Sequence, residues 1–365
     1  MRILHTSDIQ LDAPLGFLGT NGQKLRSQLR ETFAKVVEFA STGGYDLLLI
    51  AGDLFDSNRP SQQTLDLVLA CLQNAKVPVC ILPGNHDCYD AGSVYRKAEF
   101  PGNATVFTDT LREKVFPEIN LTVYGTAILR KDTYDPPLAG VHPSGSTRWN
   151  VATAHGNLVG GLVERPCRPI RPEEIAACGM DYVALGDWHA YSRRSSAGVE
   201  AAYSGSAEPT SLADEGAGHV VSVELGDRGV EVKPIRVGKI TARQVRIDVA
   251  GKNHGDLSQE ILRLADPHLM LDVTLSGLMS VGEVIQTADL ESSMAESFYH
   301  VRCRDESHPW LADIKEDEFP PELAIGRFVR IMLRHIENSE NPVDRERAEH
   351  ALQVGVALLQ GKEVL

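Results

Sequence analysis

The chain has 365 residues, 42% hydrophobic and 24% charged; this is globular composition at a length too great for one ordinary core, so a large domain with smaller units is expected. A formal net charge of -14 argues against a passive nucleic-acid coat, but not against an enzyme that gathers carboxylates around cations and holds DNA through a local basic patch. Aromatics at 6% supply no obvious stacking platform for single strands, and no apolar run reaches the length of a membrane span, so no membrane partner is expected.

The pattern enters a strand at once, in Met1-Arg2-Ile3-Leu4-His5, and no signal peptide is expected. Arg2 to Ser7 reads as a buried strand ending at Asp8. Leu25, Leu29, Phe33, Val36 and Ala40 recur at helical spacing, with Gly43-Gly44 as the stop. Tyr45 to Ala51 is an apolar strand ending at Gly52-Asp53. A helix over about 60–74 follows, with Leu65, Val68, Leu69 and Leu72 on one face. Val77 to Leu82 is the next strand, ending at Pro83-Gly84-Asn85-His86-Asp87. This β-α-β-α-β order predicts a mostly parallel sheet.

Short strands are then predicted at 121–129, 151–154, 182–185, 201–204, 220–225 and 230–237, forming a second sheet packed on the first. Ala139 to Arg148 and Glu164 to Pro172 read as loops. Near Gly238-Lys239 the pattern resets into a small α/β unit: strands at 245–249, 269–275 and 298–303 and a helix at 257–264. Two helical stretches, about 321–338 and 343–360, end the sequence. The six cysteines, Cys71, Cys80, Cys88, Cys167, Cys178 and Cys303, form no C-x-x-C pair. They read as reduced, buried thiols of a cytoplasmic protein.

The chemistry lies at the strand ends. Asp8 and Gln10 follow the first strand, Asp53 the second and Asn85-His86-Asp87 the third. His155 follows 151–154, and Asp187 and His189 follow 182–185. In open α/β sheets the carboxyl ends of the strands form the ligand crevice, so these distant segments should converge. Singly, each has a plainer reading: an Asp at a strand end usually caps a turn or helix, and a lone His is usually a hydrogen-bonded core or surface residue. Jointly, D-x-Q, G-D-x-x-D, G-N-H-D, A-H-G and G-D-x-H come in order, each after an apolar strand. That set suits two divalent cations, which would polarise a phosphodiester and acidify the attacking water.

This order resembles the calcineurin-like metallophosphoesterases, whose usual pattern is D-x-H, G-D, G-N-H, H and G-H-x-H. Within them, Gly52-Asp53-Leu54-Phe55-Asp56-Ser57-Asn58-Arg59-Pro60-Ser61 and Tyr203-Ser204-Gly205-Ser206 are similar to the DNA repair exonuclease subfamily of SbcD-like nuclease subunits. The resemblance covers residues 1 to about 238 well, and 239 to about 305 in outline. It implies a four-layer α/β/β/α sandwich (1–238), a small α/β cap domain (239–305) and a C-terminal helical partner-binding segment (306–365). It also implies two divalent metal ions, Mn²⁺ in first place and Mg²⁺ as the alternative. One ion would be held by Asp8, Gln10, Asp53 and His189, the other by Asp53, Asn85, His155 and Asp187. His86 would serve the leaving oxygen, oriented by Asp56.

Gln10 and Asp187 depart from the family, which has His at both places; the swaps bear on metal identity and rate. Arg193 and Arg194 are the first candidates to grip substrate phosphates, ahead of Arg59, Arg130, Lys131 and Arg148. The resemblance implies DNA as substrate and an SMC-like ATPase subunit as partner, and admits a homodimer. The chain has no G-x-x-x-x-G-K-[ST] motif of its own. The expected function is DNA end processing by a metal-dependent nuclease. The alternatives are a phosphoesterase acting on a small phosphodiester or phosphomonoester, and a DNA-binding subunit with a weakened site.

Overall fold

The computed structural model describes residues 1–110, 112–159, 168–279, 285–309, 314–339 and 341–361. Cys167 and the first part of the loop expected at 164–172 lie outside them. The chain divides into two units, Met1–Ala242 and Arg243–Leu365.

In the first unit, apolar runs buried on both faces make the central parallel strands β1 (Arg2–Thr6), β2 (Leu47–Ala51) and β3 (Val79–Leu82), as a sheet covered on both sides requires. Helix α1 (Thr20–Thr42) joins β1 to β2, and α2 (Gln62–Asn74), capped by the Ser61 hydroxyl on Thr64 N, joins β2 to β3. The short α3 (Val94–Lys97) leads to β4 (Ala104–Val106) beside β3. A second sheet is built from β5 (Glu113–Phe116), β6 (Leu121–Gly125) and β7 (Trp149–His155). The two-residue β8 (Asn157–Leu158) and β9 (Pro169–Ile170) pair with each other, and α4 (Pro172–Ala177) follows. Strands β10 (Tyr182–Gly186), β11 (Ser192–Arg193) and β12 (Glu200–Tyr203) complete the second sheet in the order β11-β12-β10-β7-β6-β5.

One expectation is corrected. The hairpin β13 (His219–Gly226) and β14 (Gly229–Arg236) does not enter the second sheet. It extends the first, in the order β14-β13-β1-β2-β3-β4, with β13 antiparallel to β1 (Ile3 opposite Val223). Alternation in 220–225 shows that one face is buried, but both sheets turn a face to the same core, so the pattern cannot choose between them. That core lies between the sheets: Ile3, Leu47, Leu49, Ala51 and Leu82 from one meet Leu121, Val123, Val151, Tyr182 and Ala184 from the other. Each buried Leu, Val or Ile contributes roughly 1.5–3 kcal/mol of transfer free energy. The outer face of the second sheet is covered by Ile175 of α4 and by Leu138, Cys178 and Met180, so among the described residues this fourth layer is one short helix with loops.

The second unit holds a three-stranded sheet, β15 (Thr241–Asp248), β16 (Asp266–Ser276) and β18 (Phe298–Asp305), with the short pair β17 (Leu278–Met279) and β19 (His308–Pro309). Helices α5 (His254–Leu262) and α6 (Thr287–Met294, not anticipated) bring Leu257, Ile261, Leu290 and Met294 onto Leu271, Val273 and Leu275. The buried Asp272 accepts hydrogen bonds from Arg302 and Arg304. Helices α7 (Ala324–Glu337) and α8 (Pro342–Leu359) pack through Val329, Ile336, Ala348, Leu352 and Val356. Among the described residues no helix is long and apolar enough to cross a membrane.

Candidate metal centre

Parallel β1, β2 and β3 in one sheet, and β7 and β10 in the other, turn their carboxyl ends to the same edge of the sandwich, where the sheets close on each other. The closure depends on missing side chains. Gly52 has φ +98°, and a Cβ there would overlap the His155 ring; a Cβ on Gly186 would overlap the Ala51 carbonyl. The turns beyond the strands are strained. Asp8 (φ 51°), Gln10 (48°), Asp53 (52°) and Asp187 (99°) all hold left-handed backbone, a conformation that persists only where surrounding bonds enforce it. Those bonds link the two sheets and the turns: Asp8 N donates to Gly52 O and Gln10 N to Asp53 O, both at 3.0 Å. Asp187 N lies 3.1 Å from both oxygens of Asp8, and His86 N donates to Asp53 Oδ1 at 2.9 Å.

His155 is the hub. Its Nδ1–H donates to Ala51 O at 2.9 Å, which turns Nε2 into the crevice. Nε2 stands 2.8 Å from Asn85 Oδ1 and 3.4 Å from both Asp53 Oδ2 and Asp187 Oδ1. Adjacent ligand atoms around an ion at about 2.1 Å are roughly 3 Å apart, so the donor set fits a divalent cation. One oxygen each of Asp8 and Asp53 and a ring nitrogen of His155 lie within 4.8 Å of one another. All three residues are buried, and charges so placed need a counter-charge. Burial would depress the His155 imidazolium, but Asp53, Asp187 and Asp8 carry its pKa well above the usual value. Burial raises Asp8. Burial acts the same way on Asp53, but His155 holds it below the carboxylate range.

The second cluster centres on His189. Its Nδ1 is 3.0 Å from Asp214 Oδ1, and its Nε2 is 3.3 Å from Gln10 Nε2. The Gln10 oxygen accepts from the Thr210 hydroxyl at 2.8 Å. The amide nitrogen of Gln10 therefore faces His189, and an oxygen ligand at this place requires the amide to turn over and release Thr210. Burial opposes the charged form of His189, but Asp214 and Asp8 raise its pKa to about 9.

His86 stands at the half-exposed rim. Its Nδ1 is 3.0 Å from the Asp56 carbonyl oxygen and 3.6 Å from the Asp56 carboxylate. The main chain of Asp56 thus fixes the ring and its side chain supplies the charge. Asp56, then Asp53, holds His86 above the usual histidine range against partial burial. Asp87 is an anchor: its carboxylate accepts Gly84 N (2.7 Å), Phe55 N (3.1 Å) and Tyr95 OH (2.6 Å). Burial and Asp53 push it up to about 6.

Asp8, Asp53, Asn85, His155, Asp187, Gln10 and His189 are thus brought together, with His86 and Asp56 beside them. The arginines are committed differently. Arg193 is bidentate to Glu200, and Arg148 pairs with Asp227. Arg194 joins its backbone to Ala201. Three neighbours of the centre were not anticipated: Asp214, Thr210 and Arg168, whose guanidinium pairs with Asp187. None carries a local signature; each comes from a loop that only the fold delivers.

The sequence model of the family described as "Calcineurin-like phosphoesterase" matches residues 1–191. The chain is 26% identical over 275 residues to an uncharacterized metallophosphoesterase, YhaO, of Bacillus subtilis (strain 168), covering 72% of this chain and 66% of the relative. It is 28% identical over 227 residues to the DNA double-strand break repair protein Mre11 of Methanopyrus kandleri, covering 57% and 49%. It is 24% identical over 350 residues to a subunit of the nuclease SbcCD of Staphylococcus epidermidis, covering 83% and 89%. The chain thus spans under two thirds of the first relative and about half of the second. With the match reaching over more than half of its residues and the sandwich and strand-end cluster in place, this chain belongs to the calcineurin-like phosphoesterase family, whose members use divalent metals to hydrolyse phosphoesters.

Proposed function

We propose that this chain hydrolyses phosphodiester bonds in DNA at a two-cation centre, with Mn²⁺ the best-matched ion and Mg²⁺ next. One observation carries the reading: His155 Nε2 faces three side-chain oxygens at 2.8–3.4 Å in a buried crevice. In this reading Asp8, Gln10, Asp53 and His189 hold one ion, and Asp53, Asn85, His155 and Asp187 the other. The ions would polarise the phosphoryl oxygens and make water acidic enough to attack. His86, its Nδ1 engaged by Asp56, presents Nε2 to the leaving oxygen and protonates it. Arg194 and Arg193 receive flanking phosphates, Arg193 by exchanging Glu200 for substrate. Five of the seven ligand side chains offer oxygen, which suits Mn²⁺ and Mg²⁺ over Zn²⁺.

The relatives named as the repair protein Mre11 and as part of the nuclease SbcCD support DNA as the substrate. So does Trp188, 51% exposed and lining a cavity of about 350 Å³ with Asp187 and His189, where a base can stack. In the three-part division 1–238, 239–305 and 306–365, the last segment would dock an SMC-like ATPase subunit. Leu323, Ile331, Val343, Leu358 and Leu359, exposed in that segment, support a helical docking face. Free cysteines at 71, 80, 88, 178 and 303 support a reducing, cytoplasmic setting for DNA repair.

The test is incubation of metal-stripped protein with end-labelled duplex DNA, single-stranded DNA and a cyclic nucleotide, each under Mn²⁺, Mg²⁺, Zn²⁺ and EDTA. DNA should shorten fastest with Mn²⁺ and not at all with EDTA. Cleavage of the cyclic nucleotide alone would replace the reading with a small-phosphodiester hydrolase. Failure to bind any divalent ion would leave a DNA-binding subunit.

A further inference from the structure

Arg168 brings a permanent positive charge into the crevice. Its backbone is in the left-handed region (φ 45°) and is fastened on both sides: N donates to Thr133 O at 3.0 Å, and O accepts from Asn157 N at 3.1 Å. The side chain is 6% exposed. Nη2 donates to Asp187 Oδ1 at 2.5 Å, Nη1 reaches Lys131 O at 3.4 Å, and Nε meets no acceptor among the described residues. The arginine is therefore held mainly by one carboxylate oxygen.

That oxygen has a second task. Asp187 Oδ1 is also the atom that stands 3.4 Å from His155 Nε2, at the place read above as the second cation's. A guanidinium does not lose its proton in a protein. An ion bound through Oδ1 at about 2.1 Å would lie roughly 4–5 Å from the guanidinium, a range at which buried like charges repel strongly. At the same time the guanidinium offsets the charge of the largely covered Asp187, beside the buried carboxylates of Asp8 and Asp53, when the ion is away.

We propose that Arg168 is a resident cation of the second metal site: it positions Asp187 Oδ1 and, by sharing that oxygen, lowers the site's affinity so that this ion is the readily exchanged one. The inference rests on the two-cation reading. It makes Arg168 a positioning residue that acts through Asp187, and it gives Asp187 two partners where a neutral ligand would serve the ion alone.

The experiment is calorimetric titration of the metal-stripped full chain with MnCl₂. In wild type, one of two Mn²⁺ steps should be the weaker. Arg168→Met should tighten that step by at least about tenfold, as removal of one charge beside a dication requires even with strong screening, and leave the other step alone. Arg168→Lys should behave as wild type. Asp187→Asn, which leaves the guanidinium unopposed, should lose the step, and Asp187→Asn with Arg168→Gln should recover it. An unchanged or weakened step in Arg168→Met overturns the proposal, because a merely structural arginine could not tighten it on removal. Should Arg168→Met not fold, failure of the double variant to recover the step overturns it instead. Two Mn²⁺ steps in wild type with no response to Arg168 would sink this inference alone; fewer than two in every variant would sink the two-cation reading with it.

Discussion

Asp214→Asn tests how the loop at 210–214 supports the proposed first ion site. Asp214 Oδ1 is 3.0 Å from His189 Nδ1, while Oδ2 accepts Thr210 N at 2.8 Å and Ser211 N at 2.9 Å. The amide keeps one oxygen for the loop, so the loop should stay folded. It loses the charge and turns an N–H₂ toward Nδ1, which favours the tautomer with its proton on Nε2, the nitrogen that would hold the ion in the proposed site. Partners of this kind are worth roughly 10–100-fold in metal affinity, about 1.4–2.7 kcal/mol. Titration with MnCl₂ should show that loss in one of two steps. The pH dependence supplies an independent reading. Wild-type His189 is held up to about 9 from its usual 6.5, against burial, by Asp214 and Asp8. An ion must displace that proton, so affinity should rise with pH by up to about tenfold per unit and flatten near 9. In the metal-free protein the sign is reversed: stability from the raised pKa is complete below about 6.5 and is lost as pH rises through about 9. Asp214→Asn should flatten the metal-binding curve at lower pH. An unchanged Kd with an unchanged pH slope would refute the idea that Asp214 acts through His189.

Asp53→Ala should abolish binding of both ions together with turnover, because its carboxylate is assigned to both; metal content and nuclease assays decide, and two retained ions with normal turnover would end the site assignment. His86→Ala should keep both ions and lose roughly 10²–10⁴ in turnover, the usual worth of a positioned proton donor; loss of metal in that variant would make His86 a ligand. Removal of residues from Pro321 onward should spare metal-dependent cleavage of simple DNA substrates and abolish ATP-stimulated cleavage with a partner. An insoluble or metal-free product would show that α7 and α8 are needed to hold the chain together.

The strand ends were legible because local rules reach them. A four- or five-residue apolar run flanked by helices at 3.6-residue spacing reads as a buried parallel strand, and a ligand-type residue after each run reads as a crevice. Asp8, Asp53, Asn85, His155, Asp187 and His189 all lie immediately after such runs or close behind. Gly52 was legible as part of a motif, whereas its reason, the His155 ring against its Cα, belongs to the opposite sheet.

What the local pattern could not supply was anything set by partners distant in sequence. The hairpin at 219–236 alternates the same way whichever sheet it joins; its place beside β1 is decided by pairing more than 200 residues back along the chain. Left-handed backbone at Asp8, Gln10, Asp53 and Asp187 is not dictated by residue type, although Asp tolerates it better than most; the surrounding hydrogen bonds hold it. Gln10 is an amide in the sequence, but which end of it faces His189 depends on Thr210, 200 residues away. Asp214 and Arg168 carry no local pattern that marks them; it is the closing of two sheets that puts His189 and Asp187 within their reach. Residue type and spacing determine which atoms can bind a cation; the charge those atoms meet, and hence how firmly they bind it, is decided by what the tertiary fold buries beside them.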